Sequence, residues 1–336
     1  MSELIKTYFV EEEHTSELIK ILPEDEKYMS LTWQVNNFCN FRCSYCNSGN
    51  WSGENPNLGN LEKYKTNLKS MFDQYKSKGY THFKVFFSGG EPTLWENLIP
   101  LIEFLREELP SVTIAINTNL SKPMKYWVKY AHMFDDIVAS FHVEYCKKDL
   151  YIKNAIYLCD KVDYLCTKLL MHDKRFWEVV EFGERIRQEV PNYNLEWTPL
   201  FDEMSINTGP WHYADPEKAK FLSDAEFESV MTIPKPFNEN KAKSVAYYDN
   251  GTSEPVNSNK IIAARQNFFK GWTCNVDDAL FIDPTGELSS ASCGVGKHHG
   301  NILDEDLLFS VSPVVCTKTH CHCGTDIIIP KEKRVD

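Results

Sequence analysis

Apolar residues in the first two-thirds of the chain recur with two different periods. Period-two alternation, rich in β-branched and aromatic residues, marks "LTWQVN" (31–36), "HFKVFFSG" (82–89), "VTIAINTN" (112–119), "DIVASFHVEY" (136–145), "DYLCTKLLMH" (163–172) and "NLEWTPLF" (194–201). Between these segments, apolar positions spaced three and four apart predict helices at about 60–78, 96–108, 124–133, 148–160 and 175–189. Six strands alternating with five helices predict the α/β class, with a parallel sheet, right-handed crossovers and an open or partial (β/α)6 TIM-like barrel. In such folds the chemistry gathers in loops at the C-terminal ends of the strands.

The pattern then changes. Residues 202–270 hold "NTGPWHY", a helical stretch and the turn-rich "DNGTSEPVNSN"; they predict a connector over the open side of the barrel, with Trp211 and Tyr213 mainly in packing roles. Residues 271–307 predict a hairpin around the turn "DPTG". The expected organisation is an extension over 1–30, the barrel over 31–202, the connector over 203–270 and a small C-terminal β-hairpin/helix domain over 271–336.

Composition narrows the function. The 336 residues are 42% hydrophobic and 25% charged, enough to bury a large core, and the net charge of −12 argues against nucleic acid or an anionic membrane as main partner. No apolar run approaches the ~20 residues that span a bilayer, and the acidic opening "MSELIKTYFVEEEHTSE" does not read as a secretory signal, so a cytoplasmic protein is expected. Eleven cysteines in a reducing compartment point to metal ligands rather than disulfides. Eight of them form two groups: Cys39, Cys43 and Cys46 near the start, and Cys274, Cys293, Cys316, Cys321 and Cys323 near the end. Cys146, Cys159 and Cys166 lie between and are expected to be buried small hydrophobes.

The first group follows the first strand, as the rule for such folds requires. Three thiolates spaced CxxxC and CxxC can grip three irons of a [4Fe–4S] cube and leave the fourth open to a ligand. A zinc knuckle or ferredoxin-like site completed by a distant residue is the alternative on spacing alone. "CNFRCSYC" resembles CxxxCx(aromatic)C, the signature of the radical S-adenosylmethionine enzymes, with Tyr45 as the aromatic. The resemblance implies a partial (β/α)6 barrel whose open iron is chelated by the amino and carboxylate groups of S-adenosylmethionine. It also implies an electron donor such as a flavodoxin or ferredoxin.

Further residues follow from the resemblance. "FFSGGEPTLW" is similar to the family's GGE turn: Gly89 and Gly90 would let backbone amides approach a ligand, and Glu91 would bind the methionyl amine. Thr118 and Asn119 resemble a pair that relatives place beside the methionyl group, although strict alternation would turn only one inward unless the strand has ended. Ser140 is similar to a ribose contact. His142 and Glu144 would continue along the same strand face toward the substrate, the alternative being a buried histidine with a carboxylate partner. Lys168 sits in an otherwise apolar strand and needs an anion; the resemblance offers the carboxylate of S-adenosylmethionine. His172 closes that strand as a third catalytic candidate.

The C-terminal cysteines resemble the Twitch and SPASM extensions, which hold auxiliary [4Fe–4S] clusters. Five thiols suit one cluster, with one of Cys316, Cys321 and Cys323 to spare; a structural zinc site is the alternative. The implied activity is reductive cleavage of S-adenosylmethionine to a 5′-deoxyadenosyl radical, followed by hydrogen abstraction. A polar small molecule such as a sugar, aminocyclitol or nucleotide is the expected substrate, undergoing oxidation or rearrangement, because only about thirty residues precede the first strand to serve peptide recognition. Modification of a ribosomal peptide and a non-catalytic iron–sulfur carrier are the alternatives, the latter leaving Glu91 and Lys168 unexplained.

Overall fold

The computed structural model describes residues 16–23, 27–46, 61–191, 193–200, 213–222, 244–256, 266–309, 312–321 and 323–334, with residues 49, 51, 53, 258 and 261. After β1 (Leu18–Pro23) come β2 (Tyr28–Gln34), α1 (Leu61–Ser77), β3 (His82–Ser88), α2 (Leu98–Glu108), β4 (Val112–Thr118), α3 (Met124–Tyr130), β5 (Asp136–Phe141), α4 (Lys148–Leu158), β6 (Tyr164–Met171), α5 (Phe176–Glu189) and β7 (Asn194–Pro199). β2 to β7 pair in consecutive order and all in parallel, so each helix is a crossover between neighbouring strands. All six expected strands and all five expected helices are present.

Alternation divides this sheet into two faces. Met29, Leu31 and Trp33 of β2, Val85 and Phe87 of β3 and Ile114 and Ile116 of β4 enter one core cluster with Tyr64, Leu68, Met71, Phe72 and Tyr75 of α1. Those α1 residues recur at helical spacing, so one stripe of the helix covers the sheet. The intervening strand residues turn to the other face, which is polar at Thr32, Asn117, Ser140, Lys168, Glu196 and Thr198 and apolar at Phe86, Val138 and Leu170. A polar face on a sheet whose other face is covered by helices marks where a polar ligand can lie.

The rest of the chain extends this sheet at its β2 edge and builds a second sheet. It adds β8 (Ser244–Tyr248), β9 (Ser253–Val256), β10 (Thr273–Cys274), β11 (Ala279–Ile282), β12 (Glu287–Ser290), β13 (His298–Asn301), β14 (Val314–Val315) and β15 (Lys331–Glu332). β11 pairs in parallel with β2, so β13-β12-β11 extends the six strands into one nine-stranded sheet. The C-terminal region therefore continues the core sheet. A second sheet has the order β14-β10-β15-β1-β8-β9. The segment expected to be a mere extension thus supplies β1, which pairs with β15 and β8, and the expected connector supplies β8 and β9 around a turn at Gly251. Tyr213 packs on Phe176 and donates from its hydroxyl to Met171 O at the end of β6; Trp211 lies outside the described residues. Cys159 and Cys166 are buried as expected, and Cys146 is half-buried. Among the described residues no helix is long and apolar enough to cross a membrane.

Candidate active site

The loop leaving β2 is sewn to the end of β3. Val35 N–H donates to Ser88 O at 3.0 Å, Gly90 N–H to Asn36 O at 2.9 Å and Glu91 N–H to Phe38 O at 2.9 Å. Gly89 has a φ of +124°, and a Cβ there would lie 2.4 Å from Asn36 O. Gly89 thus admits the backbone of the cysteine loop, and the Gly90 amide is bonded to Asn36. Gly89→Ala should therefore lower stability by roughly 1–3 kcal/mol, read as an earlier urea midpoint. An unchanged midpoint would mean that the close approach to Asn36 contributes nothing.

Donors gather around the first two thiols. Cys39 Sγ accepts from Phe41 N–H at 3.3 Å and from Asn119 Nδ2 at 3.7 Å, and Cys43 Sγ lies 3.4 Å from His142 Nδ1. Cys46 N–H donates to Cys43 O at 3.0 Å, which tightens the turn. Burial pushes the Cys43 thiol up to about 12, against the hydrogen bond from Tyr45, so the thiolate calls for a cation beside it.

Glu91 is fully buried and reaches no solvent. Its Oε1 accepts from Thr93 Oγ1 at 2.6 Å, Thr118 Oγ1 at 2.8 Å and Thr93 N–H at 3.2 Å, and its Oε2 accepts from Asn119 N–H at 2.7 Å. Burial raises its carboxyl pKa, opposed by those bonds. The carboxylate thus binds β3's exit to β4's exit. β4 ends at Thr118, which releases the chain from alternation, so Thr118 and Asn119 both turn to this site; Asn119 Nδ2 also meets Asn40 Oδ1 at 2.9 Å.

β5 ends earlier than its pattern suggests. Phe141 is its last residue, and Tyr145 and Cys146 amides bond back to His142 O as a turn. His142 and Glu144 are therefore not successive residues of one strand face with Ser140. Glu144 Oε2 accepts from Ser44 N–H at 2.7 Å, and Glu144 Oε1 lies 3.5 Å from His172 Nε2. His142 Nδ1 is 2.9 Å from Tyr45 Oη, and the two rings stack. Burial lowers the His142 pKa to about 4, against the pull of Glu144. All three expected catalytic side chains contact the cysteine loop: His142 meets Cys43 and Tyr45, and Glu144 and His172 meet Ser44. Ser140 Oγ donates to Asn117 Oδ1 at 2.9 Å. Lys168 has a protein anion: Glu196 Oε1 at 3.0 Å, on the neighbouring strand and directly in register. Sequence reasoning passed over Glu196, Thr93 and Asn36; the alternation of "NLEWTP", which sets Glu196 on the polar face, was the available signal for the first.

The second cysteine group divides four to one. Cys274, Cys293, Cys316 and Cys321 line one recess with about 310 Å³ of space unfilled by protein, part of it open to solvent. Cys323 is not among its walls; its Sγ lies 2.9 Å from Thr325 Oγ1, whose hydroxyl is 3.4 Å from Thr32 Oγ1 on the polar face of β2. Among the described residues no three His, Cys, Asp or Glu side chains close on a single ion. Thiols ranged around a space suit a polynuclear cluster, whose irons stand apart from one another.

Residues 33–156 match the Radical SAM superfamily model. This stretch contains the three-cysteine loop, the Gly89–Glu91 turn, Thr118, Asn119, Ser140, His142 and Glu144, and so the chain contains a radical SAM domain. Such domains use S-adenosylmethionine with a [4Fe–4S] cluster, and the donors aimed at Cys39 and Cys43 fit thiolate ligands of one. The GTP 3′,8-cyclase of Pasteurella multocida (strain Pm70) is 28% identical over 106 residues, which span 30% of this chain and 30% of the cyclase. Streptococcus suis SuiB bound to S-adenosylmethionine matches with a TM-score of 0.50 and 16% identity over 84% of this chain and 65% of that one, a likeness of fold. The protein anSMEcpe with bound AdoMet matches with a TM-score of 0.49 and 15% identity over 82% of this chain and 78% of that one.

Proposed function

We propose that the protein is a radical enzyme that binds S-adenosylmethionine at the Cys39–Cys43–Cys46 loop and uses it to take a hydrogen atom from a polar small molecule such as a sugar, aminocyclitol or nucleotide. One observation carries the reading: a three-thiol loop and the Glu91 clasp stand at the C-terminal ends of parallel strands, above the polar face formed by Asn117, Ser140, Lys168, Glu196 and Thr198. When bound, the cluster supplies the electron that cleaves S-adenosylmethionine to methionine and a 5′-deoxyadenosyl radical.

The residues of the chain hold and orient. β2 to β7 curl as a partial (β/α)6 barrel, with Glu91, Thr118 and Asn119 shaping the methionyl end and Tyr45 closing over the loop. Ser140, fixed by Asn117, faces the ribose. Lys168 and Glu196 form a charge pair that can open to meet a carboxylate or a substrate hydroxyl. His142, Glu144 and His172 hold the loop rigid, which keeps the reactive carbon close to its target and water away from it. The reductant is a flavodoxin or ferredoxin in the cytoplasm. Cys274, Cys293, Cys316 and Cys321 hold one auxiliary [4Fe–4S] cluster, and Cys323 stays free.

Iron content tests both sites. Protein reconstituted without oxygen should hold about eight irons, and the Cys39, Cys43 and Cys46 triple alanine variant about four. Cys323→Ala should keep about eight, whereas Cys321→Ala should fall to about four. Stoichiometric zinc in protein purified without oxygen, or iron loss in Cys323→Ala equal to that in Cys321→Ala, would overturn the assignment of the second site.

A further inference from the structure

We propose that Lys331 is a positioning residue of the C-terminal cysteine site, whose buried ammonium supplies the positive charge facing the four thiolates and raises the reduction potential of the cluster they hold. The inference rests on the auxiliary-cluster reading above and deepens it.

Lys331 is 3% exposed and forms part of the recess wall. It lies on β15 directly opposite Cys274 on β10, so the two side chains share one face of the antiparallel pair. Nζ donates to Asp326 O at 2.6 Å and Ile327 O at 2.8 Å and stands 4.3 Å from the centre of the Phe269 ring. Among the described residues no carboxylate oxygen lies within 4.0 Å of it. Asp326 lines the same recess and feels the Lys331 charge, but its Oδ2 is bonded to Ser292 N–H at 3.1 Å and Ser292 Oγ at 2.8 Å. A buried ammonium left with carbonyls and a ring is costly unless an anion completes its surroundings.

The thiols beside it are what can become anionic. Cys274 and Cys321 line the same recess as Lys331, and Cys274 sits directly across the strand pair from it. A cubane held by four thiolates is negative overall and gains one more negative charge on reduction. A fixed positive charge in a poorly solvated wall therefore favours the reduced state.

A structural explanation competes: Lys331 caps the carbonyls that end the short turn Gly324–Ile327. Lys331→Gln separates the two, because its amide can still donate to those carbonyls but has no charge, and Lys331→Arg keeps the charge. Both changes are made in the full-length Cys39, Cys43 and Cys46 triple alanine variant, so that only the C-terminal site reports. Iron is counted, and the potential is read by spectroscopically monitored redox titration. Lys331→Gln should shift the midpoint to more negative values, and Lys331→Arg should return it toward the parent. Loss of iron in Lys331→Gln but not in Lys331→Arg would equally support the role of charge. Equal midpoints in parent and Lys331→Gln, or iron loss in both variants, would overturn the proposal. A parent variant without about four irons would overturn the cluster reading itself, and this inference with it.

Discussion

Glu91→Gln is expected to weaken S-adenosylmethionine binding about tenfold or more and to destabilise the fold at the same time. The carboxylate accepts bonds from Thr93, Thr118 and Asn119 in a fully buried site, so every donor there points inward. A glutamine must place its NH2 group against one side of that ring. The milder orientation sets NH2 against Asn119 N–H and leaves two buried donors facing each other; the other breaks the bonds to Thr93 and Thr118. Losing one charge-assisted bond costs roughly 1.5–3 kcal/mol, which is about tenfold or more in an equilibrium constant. Asn119 also contacts Cys39 and Asn40, so the disturbance reaches the cysteine loop. Equilibrium binding of S-adenosylmethionine and urea unfolding, measured on protein of equal iron content, distinguish two roles. If affinity falls while stability holds, Glu91 meets the ligand amine directly. If both fall, it acts as the clasp between the exits of β3 and β4. If neither moves, the methionyl site lies elsewhere.

The regular part of the fold was legible because its pattern is set by burial. Each of β2 to β7 carries large apolar residues at every second position against the helices, and α1 repeats them at helical spacing, so neither period could be mistaken for the other. β1, β10, β14 and β15 were not legible for the opposite reason. β10, β14 and β15 span two residues each, too few for alternation to show, and β1, as long as β7, pairs only with β15 and β8, far away in sequence. The parallel pairing of β11 with β2 is likewise a contact across about 250 positions that no local pattern encodes.

At the site, the residues were visible in the sequence, but the contacts they make within the chain were not. "FHVEY" continues the alternation of β5, and only the hydrogen bonds from Tyr145 and Cys146 to His142 O reveal a turn. Once the backbone turns, His142 and Glu144 reach back to Tyr45, Cys43 and Ser44 instead of onward along the sheet. Lys168 illustrates the same limit. A lysine in an apolar strand announces an anion, and within the chain it meets Glu196, one strand away and in register. Sequence shows that a charge must be answered; topology decides by what. The five C-terminal cysteines divide for a topological reason too, since the turn beginning at Gly324 carries Cys323 away from the recess and toward β2.

Cys274→Ala is expected to separate hydrogen abstraction from product formation. Reduced protein with S-adenosylmethionine should form 5′-deoxyadenosine slowly alone and faster with its substrate, because substrate fills the polar face, excludes water and holds the target C–H near the reactive carbon. A non-catalytic electron carrier would form none. With substrate deuterated at the reacting carbon, the label should appear in 5′-deoxyadenosine. If the product is an oxidised form, the substrate radical must then lose one electron and one proton, and an acceptor held at Cys274, Cys293, Cys316 and Cys321 can receive the electron. Cys274 is buried in the second sheet, opposite Lys331, and its loss should leave β2 to β5 and their cysteine loop in place. Cys274→Ala, and independently Cys293→Ala, should therefore still pass deuterium to 5′-deoxyadenosine yet release no oxidised product, with mass spectrometry following both. Normal product from these variants would make the second site a structural staple and favour a redox-neutral rearrangement. Abolished transfer of deuterium, with the iron of the first site intact, would instead show that the second site helps to seat the substrate.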